Sequence, residues 1–136
     1  MNYDCREQTD YGQEPYVIHS EQASRENRNF RTAVWTGCHL QMTLMCIQPC
    51  GEIGLENHPD TDQMIRIEHG CASVRMGKCR SKMDFCRNLQ RGDVVFVPAG
   101  IWHNVTNTGR DILRVSSVYG PAHHPWGTVQ KRKEKE

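Results

Sequence analysis

Short apolar segments separated by closely spaced turn signals constrain the fold of this chain more than any other feature. The segments are rich in β-branched and aromatic residues, and six of them predict strands. They cover residues 32–36, 40–47, 64–68, 71–76, 94–97 and 112–119. Turn-forming Pro, Gly, Asn and Asp residues recur between them at intervals of about 8–12 residues, which is typical of an all-β sandwich or barrel.

The remaining segments predict little helix and a single folding unit. Residues 19–29 predict a short helix with Ser20 as its N-cap, and the polar, basic residues 77–90 predict a long loop. A length of 136 residues corresponds to one ordinary domain. We expect a flexible segment over residues 1–13, one domain over residues 14–129 and a charged, flexible tail over residues 130–136.

The cysteine pattern and the distribution of hydropathy favour a reduced protein away from membranes. The seven cysteines are odd in number and include no CxxC pair, so a disulfide scaffold and a zinc ribbon are not indicated. No run approaches 18 apolar residues, and the first 15 residues are polar and acidic. These features predict a cytoplasmic protein without a membrane partner.

Charge divides unevenly between the two halves of the chain. Residues 1–68 carry 5 basic and 11 acidic side chains, and residues 69–136 carry 12 basic and 5 acidic ones, although the net charge is only +1. The basic excess includes Arg75, Arg87 and Arg91. Because no groove-reading motif accompanies this excess, we expect a solvated surface and no nucleic-acid partner.

The most informative stretch lies between Gly92 and Asn107 and reads G-x5-P-x-G-x2-H-x3-N. A buried strand ends at the corner Pro98-Ala-Gly100, where proline fixes φ and glycine permits an unusual backbone conformation. The chain then enters the next strand at His103. This arrangement predicts that His103 faces the barrel interior.

A second stretch, residues 51–70, offers further groups that can ligate a metal. Glu56 and His58 are two residues apart, so on a strand both face the same side. Residues 59–62 predict a hairpin loop, which would set His58 and Gln63 on facing strands. Glu56, His58, Gln63 and His103 are therefore candidates to converge at one site.

These two stretches resemble the motifs of the cupin superfamily, small jelly-roll β-barrels in which the two motifs supply a metal site. The second motif fits at every fixed position, and counting back from Gly70 places Glu56, His58 and Gln63 in the first motif's three ligand positions. Two of them depart from the usual pattern, since Glu56 stands where His is usual and Gln63 where Glu is usual. A register starting at His58 would make Asp60 a ligand and place Met64 or Ile65 in the third position, where neither can ligate.

The segments GEIGLE, HPDTDQ, PAGIWHNV and GPAHHPWGTV are similar to a group of small bacterial cupins labelled mannose-6-phosphate isomerase-like. The resemblance implies an all-β jelly-roll cupin barrel, one divalent transition metal per chain and a homodimer. Two imidazoles and a carboxylate suit iron, manganese, nickel or zinc. We therefore expect Glu56, His58, Gln63 and His103 to bind the metal.

The resemblance implies several functions that the sequence alone does not separate. The first is a metal-dependent enzyme acting on a small polar, sugar-like or sugar-acid-like molecule by isomerase-type chemistry. The alternatives are a non-haem iron dioxygenase and a non-catalytic cupin that binds or senses a small ligand. Tyr119 is a candidate acid or base on the face shared with Leu113, Val115 and Ser117, and the segment containing His123 and His124 can fold back over a barrel mouth.

Overall fold

The computed structural model describes residues 8–134, which contain one short helix and nine strands. In chain order these are α1 (Ser20–Glu26), β1 (Arg31–Thr36), β2 (Gln41–Ile47), β3 (Asp62–His69), β4 (Cys71–Gly77), β5 (Phe85–Gln90), β6 (Val94–Val97), β7 (Trp102–Asn107), β8 (Leu113–Gly120) and β9 (Val129–Gln130). The predicted all-β jelly-roll architecture is confirmed. Within the described residues, no helix is long and apolar enough to cross a membrane.

The strands form two antiparallel sheets. The larger sheet has the order β6-β3-β8-β2-β1-β9, and the smaller sheet has the order β5-β4-β7. Residues 51–56 run beside β7 as an irregular edge, through backbone pairs of Glu52 with Thr106 and of Glu56 with His103. This edge brings the stretch before β3 to the small sheet.

The core lies between the inner faces of the two sheets. Ile65 and Val115 of the large sheet pack in one buried cluster with Val74 and Val105 of the small sheet, and all four side chains are fully buried. The alternation of buried and exposed residues in β3, β4 and β7 follows from the two-residue period of a strand. Each buried side chain of this size contributes about 1.5–3 kcal/mol relative to an exposed one.

Asn107, the last residue of the G-x5-P-x-G-x2-H-x3-N stretch, connects three parts of the barrel through its side chain. Its Nδ2 donates to the carbonyl oxygens of Ile47 at 3.0 Å and Asp111 at 2.9 Å, and its Oδ1 accepts from the N–H of Gly109 at 2.9 Å. The side chain is 3% exposed. Asn107 thus joins β2, β7 and the turn before β8.

Three local predictions differ from the structure. Residues 77–90 do not form a loop throughout, because Phe85–Gln90 pairs with β4 as the edge strand β5. The N-cap of α1 is His19, whose Nδ1 accepts from the N–H of Gln22 at 3.2 Å, rather than Ser20. The predicted hairpin across residues 59–62 is also wrong, since β3 pairs with β6 and β8 while Glu56 pairs with β7.

Candidate metal centre

The corner between β6 and β7 places His103 inside the barrel. Gly100 has a φ of +84°, a left-handed conformation that glycine adopts without steric cost. Its N–H donates to the carbonyl oxygen of His58 at 2.9 Å. His103 is the second residue of β7 and is 1% exposed. The corner therefore fixes the backbones of both histidines in one place, as the sequence predicts for His103.

A backbone pair sets Glu56 beside His103. The N–H of each residue donates to the carbonyl oxygen of the other, both at 2.9 Å. Directly paired residues of antiparallel neighbours direct their side chains to the same face. Glu56 consequently points toward His103.

Glu56, His58 and His103 bring three possible ligand atoms within 4.8 Å of one another. Oε2 of Glu56 lies 3.0 Å from Nε2 of His58 and 3.8 Å from Nε2 of His103. His58 is 4% exposed and Glu56 25% exposed. The first register of the motif therefore agrees with the geometry, whereas Asp60, which the other register requires, is exposed.

Both imidazoles turn their Nε2 atoms toward the carboxylate of Glu56. Nδ1 of His103 lies 3.0 Å from the carbonyl oxygen of Ile101, so the ring proton belongs on Nδ1 and Nε2 keeps its lone pair. Among residues 8–134, the buried Nε2 atom of His103 has no hydrogen-bond partner, and Nε2 of His58 lies 3.0 Å from Oε2 of Glu56. Buried polar atoms are normally paired, and two imidazoles with one carboxylate form a recognised metal-binding set. These residues fit a divalent transition metal.

The electrostatics of the trio favour the protonation states that bind metal. Burial works against ionisation of Glu56, but the hydrogen bond and charge of His58, together with the charges of Arg31 and His103, bring its pKa below the usual value. Burial lowers the pKa of His103, even though the Ile101 carbonyl and Glu56 act in the opposite direction. An ionised Glu56 and a neutral His103 are the forms that ligate.

The large sheet supplies Gln63 and Tyr119 to the opposite side of the site. Gln63 of β3 is paired with Tyr119 of β8, and both residues are buried. Nε2 of Gln63 donates to Oγ of Ser117 at 3.4 Å, while its Oε1 has no hydrogen-bond partner in the described part of the chain. The ring of Tyr119 lies 6.0 Å from that of His58, centre to centre. Tyr119 shares its inward face with Leu113, Val115 and Ser117, as predicted.

His123 and His124 close over the site after β8. The ring centres of His123 and His58 are 3.8 Å apart, and those of His124 and Tyr119 are 5.3 Å apart. Oε1 of Gln41 accepts the backbone N–H groups of His123 at 3.1 Å and His124 at 2.9 Å, and Nε2 of Gln41 donates to the carbonyl oxygen of His124 at 2.8 Å. Burial lowers the pKa of His123, and burial aided by the charge of Arg31 lowers the pKa of His124 to about 3.

Arg31 is a site residue that the sequence analysis missed. It is the first residue of β1, one position before the predicted strand, and its side chain is 6% exposed. One terminal nitrogen lies 3.8 Å from Oε1 of Glu56. Arg31 and Ala33 are two residues apart, so on one strand both face the barrel interior. This relation becomes visible only when the predicted strand is extended by one residue, to begin at Arg31.

Residues 43–119 match the family described as Cupin domain. The chain belongs to the cupins. It is 48% identical to the YrkC protein of Bacillus subtilis over 124 residues, which is 91% of this chain and 67% of YrkC. The crystal structure of BH2720 from Bacillus halodurans is similar to 90% of this cupin and 93% of its own chain, with 46% identity and a TM-score of 0.89.

A more distant structure belongs to a protein described as an oxalate decarboxylase. It comes from Lactobacillus farciminis, was solved as a formate complex, and is 25% identical to this cupin with a TM-score of 0.57. The similarity covers 65% of this cupin and 25% of the decarboxylase.

Several other residues of this cupin lie away from the trio. His39, His69 and Cys50 are exposed, and His19 caps α1. Arg75 and Arg91 are exposed, and Arg91 pairs with Glu21 at 3.0 Å. These placements leave the described site with Glu56, His58 and His103 at its centre.

Proposed function

We propose that this cupin is a metal-dependent enzyme that acts on a small polar molecule inside the barrel. The observation that carries the proposal is the convergence of Glu56, His58 and His103, whose possible ligand atoms all lie within 4.8 Å of one another. These residues would hold one divalent transition metal, with Gln63 contributing its unpartnered Oε1 atom or orienting a bound molecule. Iron, manganese, nickel and zinc all suit the ligand set.

A metal in this position would act as a Lewis acid that polarises a substrate oxygen. Other side chains of this cupin surround the position of the metal. Burial raises the pKa of Tyr119, so its hydroxyl stays protonated at neutral pH and can donate a hydrogen bond or a proton. His123 lies against His58 and His124 lies against Tyr119, so both side chains limit the access of water to the site.

The ligand set supports two enzyme classes and one class of non-enzyme. A two-histidine, one-carboxylate set with open positions is also typical of non-haem iron oxygenases, so an oxygen-dependent reaction is the second candidate. Isomerase-type chemistry on a sugar or sugar acid rests on sequence resemblance alone. The similarity to an oxalate decarboxylase adds carboxylic acids to the substrates worth testing. A protein that binds or senses a small ligand would use the same pocket but would not convert the ligand into a product.

Elemental analysis combined with turnover assays tests this proposal. We expect about one transition metal per chain in the purified protein. Product formation from a sugar acid or carboxylic acid without oxygen uptake would support the first candidate, and oxygen uptake with iron(II) would support the oxygenase. A thermal shift without any product would indicate a binding protein. A protein that takes up none of the four metals would contradict the proposal.

A further inference from the structure

Arg31 places a buried positive charge in the wall of the site. Its side chain is 6% exposed, and the guanidinium lies above the ring of Phe30, 5.3 Å from the ring centre. Burying a charge is unfavourable unless hydrogen bonds and opposite charges compensate for it. The partners of Arg31 therefore indicate what the site is built to receive.

The described residues compensate this charge incompletely. One terminal nitrogen donates to Oε1 of Gln130, and the other contacts Sδ of Met45 at 3.8 Å, which is a weak acceptor. Oε1 of Glu56 is 3.8 Å away, within ion-pair distance but beyond hydrogen-bond distance. The buried Nε atom has no partner. A guanidinium that can bind a carboxylate through two parallel hydrogen bonds is thus left with free donors.

The net charge of the site also favours an anionic ligand. Glu56 is the acidic side chain that approaches Arg31 among the described residues, and its second oxygen faces the two histidines. Gln63 adds an amide where a carboxylate would have added a negative charge. With a divalent metal in place, one metal, one arginine and one glutamate give a local charge of +2. An anionic ligand would neutralise this charge.

We propose that the substrate of this site carries a carboxylate group and that Arg31 binds it. This inference rests on the proposed function, because it assigns a substrate class to the same site. It makes Arg31 the residue that separates acids from neutral sugars. The free guanidinium donors favour binding of a carboxylate, whereas a neutral analogue leaves these buried donors without a charged acceptor.

A competing explanation is that Arg31 only positions Glu56. In that case, removing the guanidinium would weaken metal binding, and the preference for acids would not depend on Arg31. The two explanations are separated by measuring metal content and ligand affinity on the same variants.

The test uses the full chain loaded with manganese and then dialysed. Oxalate, malonate and succinate are titrated by calorimetry, with malonamide as the uncharged match of malonate. We expect one of the acids to bind, and Arg31→Met to weaken that acid by about tenfold or more while manganese stoichiometry stays unchanged. Arg31→Lys keeps the positive charge but lacks the planar guanidinium, so its affinity for the acid should lie between those of the wild type and Arg31→Met. Arg75→Met, on the outer face of the small sheet, is the control and should match the wild type.

Three results would overturn the inference. They are the absence of binding by every acid, equal acid affinity in the wild type and Arg31→Met, and loss of manganese from a folded Arg31→Met variant. If the wild type holds no metal, the proposed function fails, and the same titrations on the metal-free protein still decide the role of Arg31. Acid binding that requires Arg31 would then support a carboxylate site, and its absence would overturn it.

Discussion

The ring nitrogen Nδ1 of His103 donates to the carbonyl oxygen of Ile101 at 3.0 Å, within the turn that leads into β7. This bond fixes the orientation of the imidazole and leaves Nε2 directed at Oε2 of Glu56, 3.8 Å away. Such a bond from the far side of a ligating histidine sets its tautomer and raises its basicity. A metal bound at Nε2 would therefore find the imidazole already oriented by the backbone turn.

His103→Ala should therefore remove the metal. Changes beyond the ligands themselves commonly weaken metal binding by about 10–100-fold, so loss of a ligand should exceed about 100-fold. The measurement is metal stoichiometry after reconstitution and dialysis. His69→Ala, at an exposed histidine that ends β3, serves as the control. Full metal content in His103→Ala would show that the site lies elsewhere.

Gln63→Glu should tighten metal binding and destabilise the metal-free protein. The new carboxylate would be buried where Oε1 of Gln63 has no partner, so it carries an uncompensated charge until a cation binds. We expect an affinity gain of at least about tenfold, or ~1.4 kcal/mol, by competition with a chelator. Gln63→Leu is the matched variant without the charge and should show no gain. Equal affinities of the Glu and Leu variants would place Gln63 outside the metal's reach.

The metal-free protein should lose stability on acidification below about pH 6.5. The pKa values of His103, His123 and His124 are lowered by burial in the folded state, so the unfolded chain binds protons more readily. Stability is therefore complete above the unfolded pKa and decreases as the pH falls through it. Each histidine binds one proton and so contributes at most about 1.4 kcal/mol per pH unit. The contributions of His123 and His124 are smaller, because both remain partly accessible to solvent.

Urea unfolding at several pH values checks this dependence. His124→Gln should flatten the decrease, since the pKa of His124 lies at about 3 in the folded protein. His39→Gln, at an exposed histidine, should leave the slope unchanged. A slope that is the same in His124→Gln and the wild type would contradict the assignment.

Asn107→Ala should destabilise the fold by about 2–4 kcal/mol, because three hydrogen bonds from one buried side chain to backbone groups are lost together. Metal stoichiometry of the folded variant should stay at the wild-type level, since Asn107 joins β2, β7 and the turn before β8 at a distance from the ligands. Thermal unfolding and metal analysis give the two readouts. Asn88→Ala, on the exposed edge strand β5, is the control. An Asn107→Ala variant with wild-type stability and no metal would show that Asn107 acts on the metal site and not on the stability of the fold.

The parts of the site that the sequence predicted depend on local geometry. The turn at Pro98–Gly100 and the two-residue period of β7 together determine that His103 points inward. Counting back from Gly70 selected Glu56 and His58 over Asp60, and these two residues do meet His103. Their role as metal ligands remains a prediction.

The features that the sequence did not reveal depend on long-range pairing or on weak patterns. The partner of the stretch before β3 is β7, which local spacing cannot distinguish from a hairpin partner. β5 has only Leu89 buried, so it lacks the apolar alternation that marks a strand. The position of His123 and His124 over the site depends on Gln41, which is distant in the sequence. The side-chain oxygen of Gln41 accepts hydrogen bonds from the backbone N–H groups of both histidines.

The residues around the candidate metal are divided between the two sheets. Glu56 and His58 are bound through their backbones to β7 and the corner that precedes it, and His103 belongs to β7. Arg31, Gln63 and Tyr119 all belong to the large sheet. A breathing motion that separates the sheets would leave the three ligand atoms together while widening the space opposite them. The small sheet would thus keep the three candidate ligands together, while the groups that face a substrate would move with the large sheet.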